Sequence, residues 1–206
     1  MEGELDLSLV VGFAGKKRAI LGGDRRSIVF FGGAEALEEE LYDGKIRTDE
    51  ELKKRAEELG SVIQIANGRE KVWKRNDGKV LVGEVTELSA SSQRRRRVYL
   101  TPGGYILVEI SGKRAEVSKK GKSTLIILGN KFTRELAYRR LGSAGKPPEI
   151  SSMKALFEEA RRATATISPD YTLLSSDEIC SNPEAVLLQA LREDCEERGW
   201  ELFGLA

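Results

Sequence analysis

From Ser61 to Asn130 the sequence is a succession of short apolar runs divided by turn residues: SVIQIANG, EKVWKRNDGKVLVGEV, RRVYLTPGGYILVEISG, KRAEVSKKG and KSTLIILGN. Gly and Asn-Asp-Gly breaks supply the positive-φ residues that tight hairpins need, so the pattern predicts antiparallel strands. A similar pair of runs opens the chain. Leu9 to Phe13 and Arg18 to Leu21 are joined by AGKK, which reads as a hairpin, and SIVFFGG extends the sheet.

Helical spacing interrupts this β-rich pattern. Between Ala34 and Gly60 lie AEALEEELYDG and TDEELKKRAEELG, the second capped by Thr48 with Glu51 at the capping-box position. Helices return at FTRELAYRRLG and, after Pro147-Pro148, at SSMKALFEEARRAT. TISPDYTLLS predicts a strand, and NPEAVLLQALREDCEERG a last helix with Asn182 as cap and Pro183 at its first position. Strands, then helices, then a strand and a helix suit a layered α+β domain with antiparallel sheets.

The chain has 206 residues and no histidine. That removes Ser-His-Asp and Cys-His arrangements, His-ligated zinc and imidazole as acid or base. No cofactor and no metal site is expected. Cys180 and Cys195 lie fifteen apart with no CxxC pattern, which reads as two reduced thiols in a cytoplasmic protein. The net charge of +1 gives no global field toward nucleic acid or anionic lipid. No apolar stretch approaches the length of a membrane span, and MEGELDL carries acids where a secretory signal would carry lysines.

Any proton shuttle must therefore be a carboxylate, a lysine or an α-amine. An α-amino group has a reference pKa of about 7.7–8.0 and can be neutral at working pH. The stretch SLVVGFAGKKRAILGGDRR places a serine at the head of the first strand of the hairpin and an acid sixteen residues later, followed by Arg25 and Arg26. A structural hairpin needs neither residue. A strand-edge hydroxyl without a chemical task competes for Ser8, and a turn residue competes for Asp24. The spacing, in a chain without histidine, favours Ser8 as a nucleophile that becomes the N-terminus once residues 1–7 are absent.

SLVVGF…GGDRR is similar to the start of proteasome β-subunits, where a nucleophilic Thr or Ser opens the first strand. NGREK…NDGKVLVGEV resembles the stretch holding that family's active-site lysine and the glycine whose amide serves the oxyanion hole. By this resemblance those are Lys71 and Gly83, with Lys54 and Arg69 competing for the lysine's place. LGNKFTRELAYRRL…SSMKALFEEARRATATISPD is similar to the family's turn and two consecutive helices, with Asp170 assisting the N-terminus. The helical insert and the VLVGEV strand most resemble the Connectase family, protein ligases of methanogenic archaea.

The resemblance covers roughly residues 8–175. It implies a four-layer αββα N-terminal-nucleophile sandwich over 8–175 with a helical-hairpin insert at 34–60. Residues 1–7 are then a leader or a mis-assigned start, and 176–206 a C-terminal helical extension. Implied too is a sequence-specific transpeptidase working through an acyl-enzyme on Ser8, with Asp24, Lys71, Gly83 and Asp170 in the site. Its partner would be a peptide or protein with a specific motif, for example a methanogenic methyltransferase subunit, met by a monomer. Hydrolysis and a non-catalytic scaffold are the alternative readings. The insert is expected to border the cleft and to lie outside the core.

The run QRRRR, Gln93 to Arg97, invites a nucleic-acid reading, but no aromatic residues interleave it. It is expected at a solvated loop tip. Cys195 is expected to pack in the last helix.

Overall fold

A computed structural model describes residues 2–5, 8–31, 35–89, 92–142 and 147–205. The first strands are β1 (Glu2–Leu5), β2 (Leu9–Ala14), β3 (Ala19–Asp24) and β4 (Ser27–Phe31). Helices α1 (Glu35–Tyr42) and α2 (Asp49–Glu58) follow, then β5 (Val62–Ala66), β6 (Val72–Arg75), β7 (Val80–Ser89), β8 (Ser92–Thr101), β9 (Gly104–Ser111), β10 (Arg114–Gly121) and β11 (Thr124–Gly129). The chain closes with α3 (Lys131–Leu141), α4 (Ile150–Ala163), β12 (Tyr171–Ser176), α5 (Pro183–Arg198) and β13 (Glu201–Phe203). The fold is α+β. Among the described residues, no helix is long and apolar enough to cross a membrane.

The strands form three sheets among the described residues: β11-β2-β3-β12, β13-β10-β9-β8-β7-β6, and β1-β4-β5. Alternation along the first hairpin explains how the first two meet. Leu9, Val11 and Ile20 point to one face of their sheet, where Leu136, Met153 and Phe157 of α3 and α4 cover them. Val10 and Leu21 point to the other face and pack on Leu81, Val98 and Leu100 of the six-stranded sheet. That sheet turns Val82, Tyr99 and Val108 to its far side, against Leu187 and Leu191 of α5. Glycine lets the two sheets approach: a Cβ on Gly12 would fall 2.5 Å from Leu100 Cδ1.

Local signals explain several element ends. Thr48 Oγ1 accepts from the Glu51 amide at 3.1 Å, and Glu51 Oε2 takes the Arg47 amide at 2.8 Å, pinning the start of α2. Asn182 Oδ1 accepts from the Ala185 amide at 3.1 Å, with Pro183 in the first turn of α5. Asn76 and Asp77 take φ of 51° and 53° in the tight turn between β6 and β7, a geometry that residues of this kind tolerate.

Two expectations are corrected. QRRRR belongs to β8 and not to a loop tip, and of Arg94 to Arg97 only Arg94 is exposed. Arg97 is fully buried, with Nε 2.8 Å from Glu84 Oε2, an ion pair to buried Asp194, and its guanidinium 4.8 Å from the Trp200 ring centre. Tyr99 Oη donates to the same Asp194 at 2.5 Å, and burial pushes its phenol well above the ordinary range. The helical hairpin is likewise more than an appendage. Leu37, Leu41 and Leu52 form an apolar cluster with Ile28 and Phe30 of β4 and with Ala165.

Candidate functional site

Ser8 immediately precedes β2 and is buried. β11 flanks β2 on one side and β3 on the other. The β2–β3 register pairs Val10 with Gly23, so Asp24 stands one step further on, across from Leu9. There its Oδ1 accepts the Leu9 amide at 2.8 Å and its Oδ2 the Arg26 amide at 2.8 Å. The carboxylate thus clamps the main chain right beside Ser8.

Lys71 arrives from the other large sheet. It lies just before β6 and is held by its carbonyl, which accepts the Glu84 amide at 2.9 Å, while the Arg69 amide donates to Arg25 O at 3.1 Å. A Cβ on Gly23 would fall 2.8 Å from Val72 Cγ1, so the second glycine of GGD is what lets this segment close on β3. Lys71 Nζ then reaches Asp24 Oδ1 at 3.0 Å and Oδ2 at 3.1 Å, with both side chains buried. Burial pushes the Asp24 carboxyl up from its ordinary value, opposed by the Lys71 ammonium and the two amides. Of the competing cations, Lys54 is exposed on α2 and Arg69 donates to Thr86 Oγ1 at 3.3 Å.

Arg26 completes the floor, and sequence reasoning assigned it no task. Its guanidinium is 2% exposed and meets Asp49 Oδ1 at 2.5 Å, Asp49 Oδ2 at 3.0 Å, Ala165 O at 2.5 Å and Asn67 Oδ1 at 3.0 Å. One side chain therefore ties the β3–β4 corner to α2 and to the stretch after α4. A cavity of about 330 Å³ opens beside it, lined by Arg26, Arg47, Asp49, Arg161, Thr164 and Ile167 among others.

The two remaining residues lie differently from the expectation. Gly83 sits within β7, paired to Val72 on one side and Val98 on the other, so its main chain is flanked by strands. Its missing Cβ would fall 2.8 Å from Val10 Cγ1, and close sheet packing is the reason for a glycine there. Asp170 is exposed, and its carbonyl accepts from Ser168 Oγ, which in turn takes the Arg25 amide at 2.7 Å. The buried Ser168 holds that corner, and the Asp170 carboxylate faces solvent.

The turn from β11 into α3 touches Ser8 from the opposite side. Gly129 takes a φ of 154°, and a Cβ there would lie 2.5 Å from Ser8 O. Thr133 Oγ1 stands 3.5 Å from Ser8 O and 3.0 Å from Asn130 Oδ1. Among the described residues, no group of three or more acidic or thiol side chains is arranged to hold a metal ion.

The family model for "Connectase MJ0548-like, N-terminal domain" matches residues 7–196. The chain belongs to the Connectase family. The match begins next to Ser8 and takes in all but the last two residues of α5, so the residues with which that helix covers the six-stranded sheet lie within the Connectase domain. The search of curated proteins found no match to this Connectase-family chain.

Proposed function

We propose that this Connectase-family protein is an N-terminal-serine transpeptidase that opens one amide bond and rejoins its acyl part to a new amine. The observation that carries the reading is the buried Lys71–Asp24 pair clamped to the Leu9 amide, beside a serine at the head of a strand. The stacking of α3 and α4, two sheets and α5 supports an N-terminal-nucleophile sandwich.

With residues 1–7 absent, the α-amine of Ser8 takes the Oγ proton as Oγ attacks the substrate carbonyl. The Lys71 ammonium keeps the local potential positive, which favours a neutral amine and a developing anion. The amine then returns the proton to the departing nitrogen, leaving an ester on Ser8. A second amine, entering in place of water, resolves the ester to a new peptide bond. Hydrolysis uses the same ester, and family membership supports ligation over it. The substrate is a peptide or protein carrying a specific motif, in the cytoplasm of an archaeal methanogen. The cavity between Arg26 and α2 and α4, beside the insert, is where side-chain recognition would occur.

A chain beginning at Ser8 keeps every described member of the four apolar clusters, all of which lie at or after Leu9, and the family domain begins at residue 7. Intact-mass measurement of that chain with an electrophilic peptide should show one adduct, absent in Ser8→Ala. An adduct that persists in Ser8→Ala removes this nucleophile from consideration.

A further inference from the structure

Asn130 caps α3: its Oδ1 accepts the Thr133 amide at 2.8 Å and lies 3.0 Å from the Thr133 hydroxyl. The amide acceptor contact fixes which way the side chain is turned, because only the oxygen can accept from a main-chain N–H. Nδ2 is therefore held on the opposite side. It is buried and has no hydrogen-bond partner among the described residues, and Asn130 as a whole is 8% exposed. A buried amide donor without an acceptor is costly and uncommon in folded proteins. An Asp or Ser would cap the helix equally well without leaving a donor stranded.

Its position relates it to Ser8. The β11–β2 register ends with Gly129 paired to Leu9, so Asn130 directly follows the paired strands and Ser8 directly precedes them. The Thr133 hydroxyl bridges the two, 3.0 Å from Asn130 Oδ1 and 3.5 Å from Ser8 O. Ser8 thus lies between the Asp24–Lys71 pair and the turn from β11 into α3, which carries this unused N–H donor.

We propose that Asn130 Nδ2 is an oxyanion donor for acyl transfer at Ser8, a role that Gly83 is not placed to fill. This rests on the reading of Ser8 as nucleophile. When Oγ bonds to the carbonyl carbon, the carbonyl π pair moves onto its oxygen and the Oγ proton passes to the α-amine. Nδ2 donates to that oxygen while it carries the charge. The pair returns as the C–N bond breaks, and the departing nitrogen collects the proton from the amine. A donor already oriented by a helix cap needs no reorganisation during the step, which is where such groups gain their effect.

The test compares chains beginning at Ser8, native and carrying Asn130→Asp, Asn130→Ser or Ser8→Ala, with p-nitrophenyl acetate as acyl donor. Release of p-nitrophenol and intact mass report acylation of Ser8, with the Ser8→Ala signal subtracted as background. Both Asn130 variants keep an oxygen to cap α3, so their thermal midpoints should stay close to native. Acylation should slow by about 100- to 1000-fold in each, the range for losing one oxyanion donor. A native rate in Asn130→Ser overturns the proposal, because slowing confined to Asn130→Asp would be an effect of added charge. If the native chain acylates no faster than Ser8→Ala, the nucleophile itself is wrong and this role falls with it.

Discussion

Lys71 Nζ lies 3.0 Å and 3.1 Å from the two oxygens of Asp24, joining residues 47 positions apart, and the side chains are 1% and 0% exposed. The two large sheets each contribute one charge to a pair that water does not reach. A buried pair of this kind costs its full desolvation when one partner is removed.

Lys71→Met should therefore lower stability by about 3–5 kcal/mol as well as abolishing acyl transfer, because it leaves the Asp24 carboxylate buried and uncompensated. Adding Asp24→Asn should restore much of the stability and none of the activity. Urea unfolding of the two variants separates these outcomes.

Gly83→Ala introduces a methyl group 2.8 Å from Val10 Cγ1 and 3.2 Å from Leu21 Cδ1, both in the inter-sheet core. Overpacking there should destabilise by about 1–3 kcal/mol. Acylation measured well below the melting temperature should stay near native, since the main chain at this position serves the sheet.

Leu52→Ala in α2 empties a fully buried site against β4 and should cost about 2–5 kcal/mol. Unfolding should remain a single transition, because the insert shares its cluster with Ile28, Phe30 and Ala165. A separate early transition, followed by circular dichroism, would show the insert melting alone.

Cys195 is 6% exposed, and burial pushes its thiol above the ordinary value, with the Asp194 carboxylate adding to the shift. A raised pKa means less thiolate at pH 7.5, so iodoacetamide should label Cys180 and spare Cys195 in the folded chain. Mass spectrometry should find both labelled after denaturation.

Local chemistry was legible wherever neighbours in sequence decide the outcome. The AGKK hairpin, the Thr48–Glu51 cap and the Asn182–Pro183 helix start are each fixed within a few residues. Contacts made across the fold were less so. Four consecutive arginines read as solvated because their partners are remote: Asp194 lies 97 positions from Arg97, and Trp73 and Trp200 come from β6 and from the stretch after α5. Lys71 could be singled out from Lys54 and Arg69 only through family resemblance, since spacing alone does not show which cation the second sheet carries to Asp24. The sequence assigns Asn130 no task, and nothing in LGNKFT reveals that its amide nitrogen is left over once its oxygen caps α3.

The pairing of β1 with β4 has a colloidal consequence. β1 covers one side of β4 in antiparallel register, Leu5 opposite Ile28 and Gly3 opposite Phe30, while β5 covers the other. A chain that begins at Ser8 gives up that cover and turns Ser-Ile-Val-Phe-Phe, without charge or proline, into a bare sheet edge. Unprotected edges of this composition pair with copies of themselves. Under the proposed mechanism, exposing the α-amine and exposing a sticky strand are the same event, so a chain beginning at Ser8 carries an aggregation hazard that an extended peptide lying along β4 would relieve. Self-association that rises with protein concentration, and falls when such a peptide is present, is the solution behaviour to expect of it.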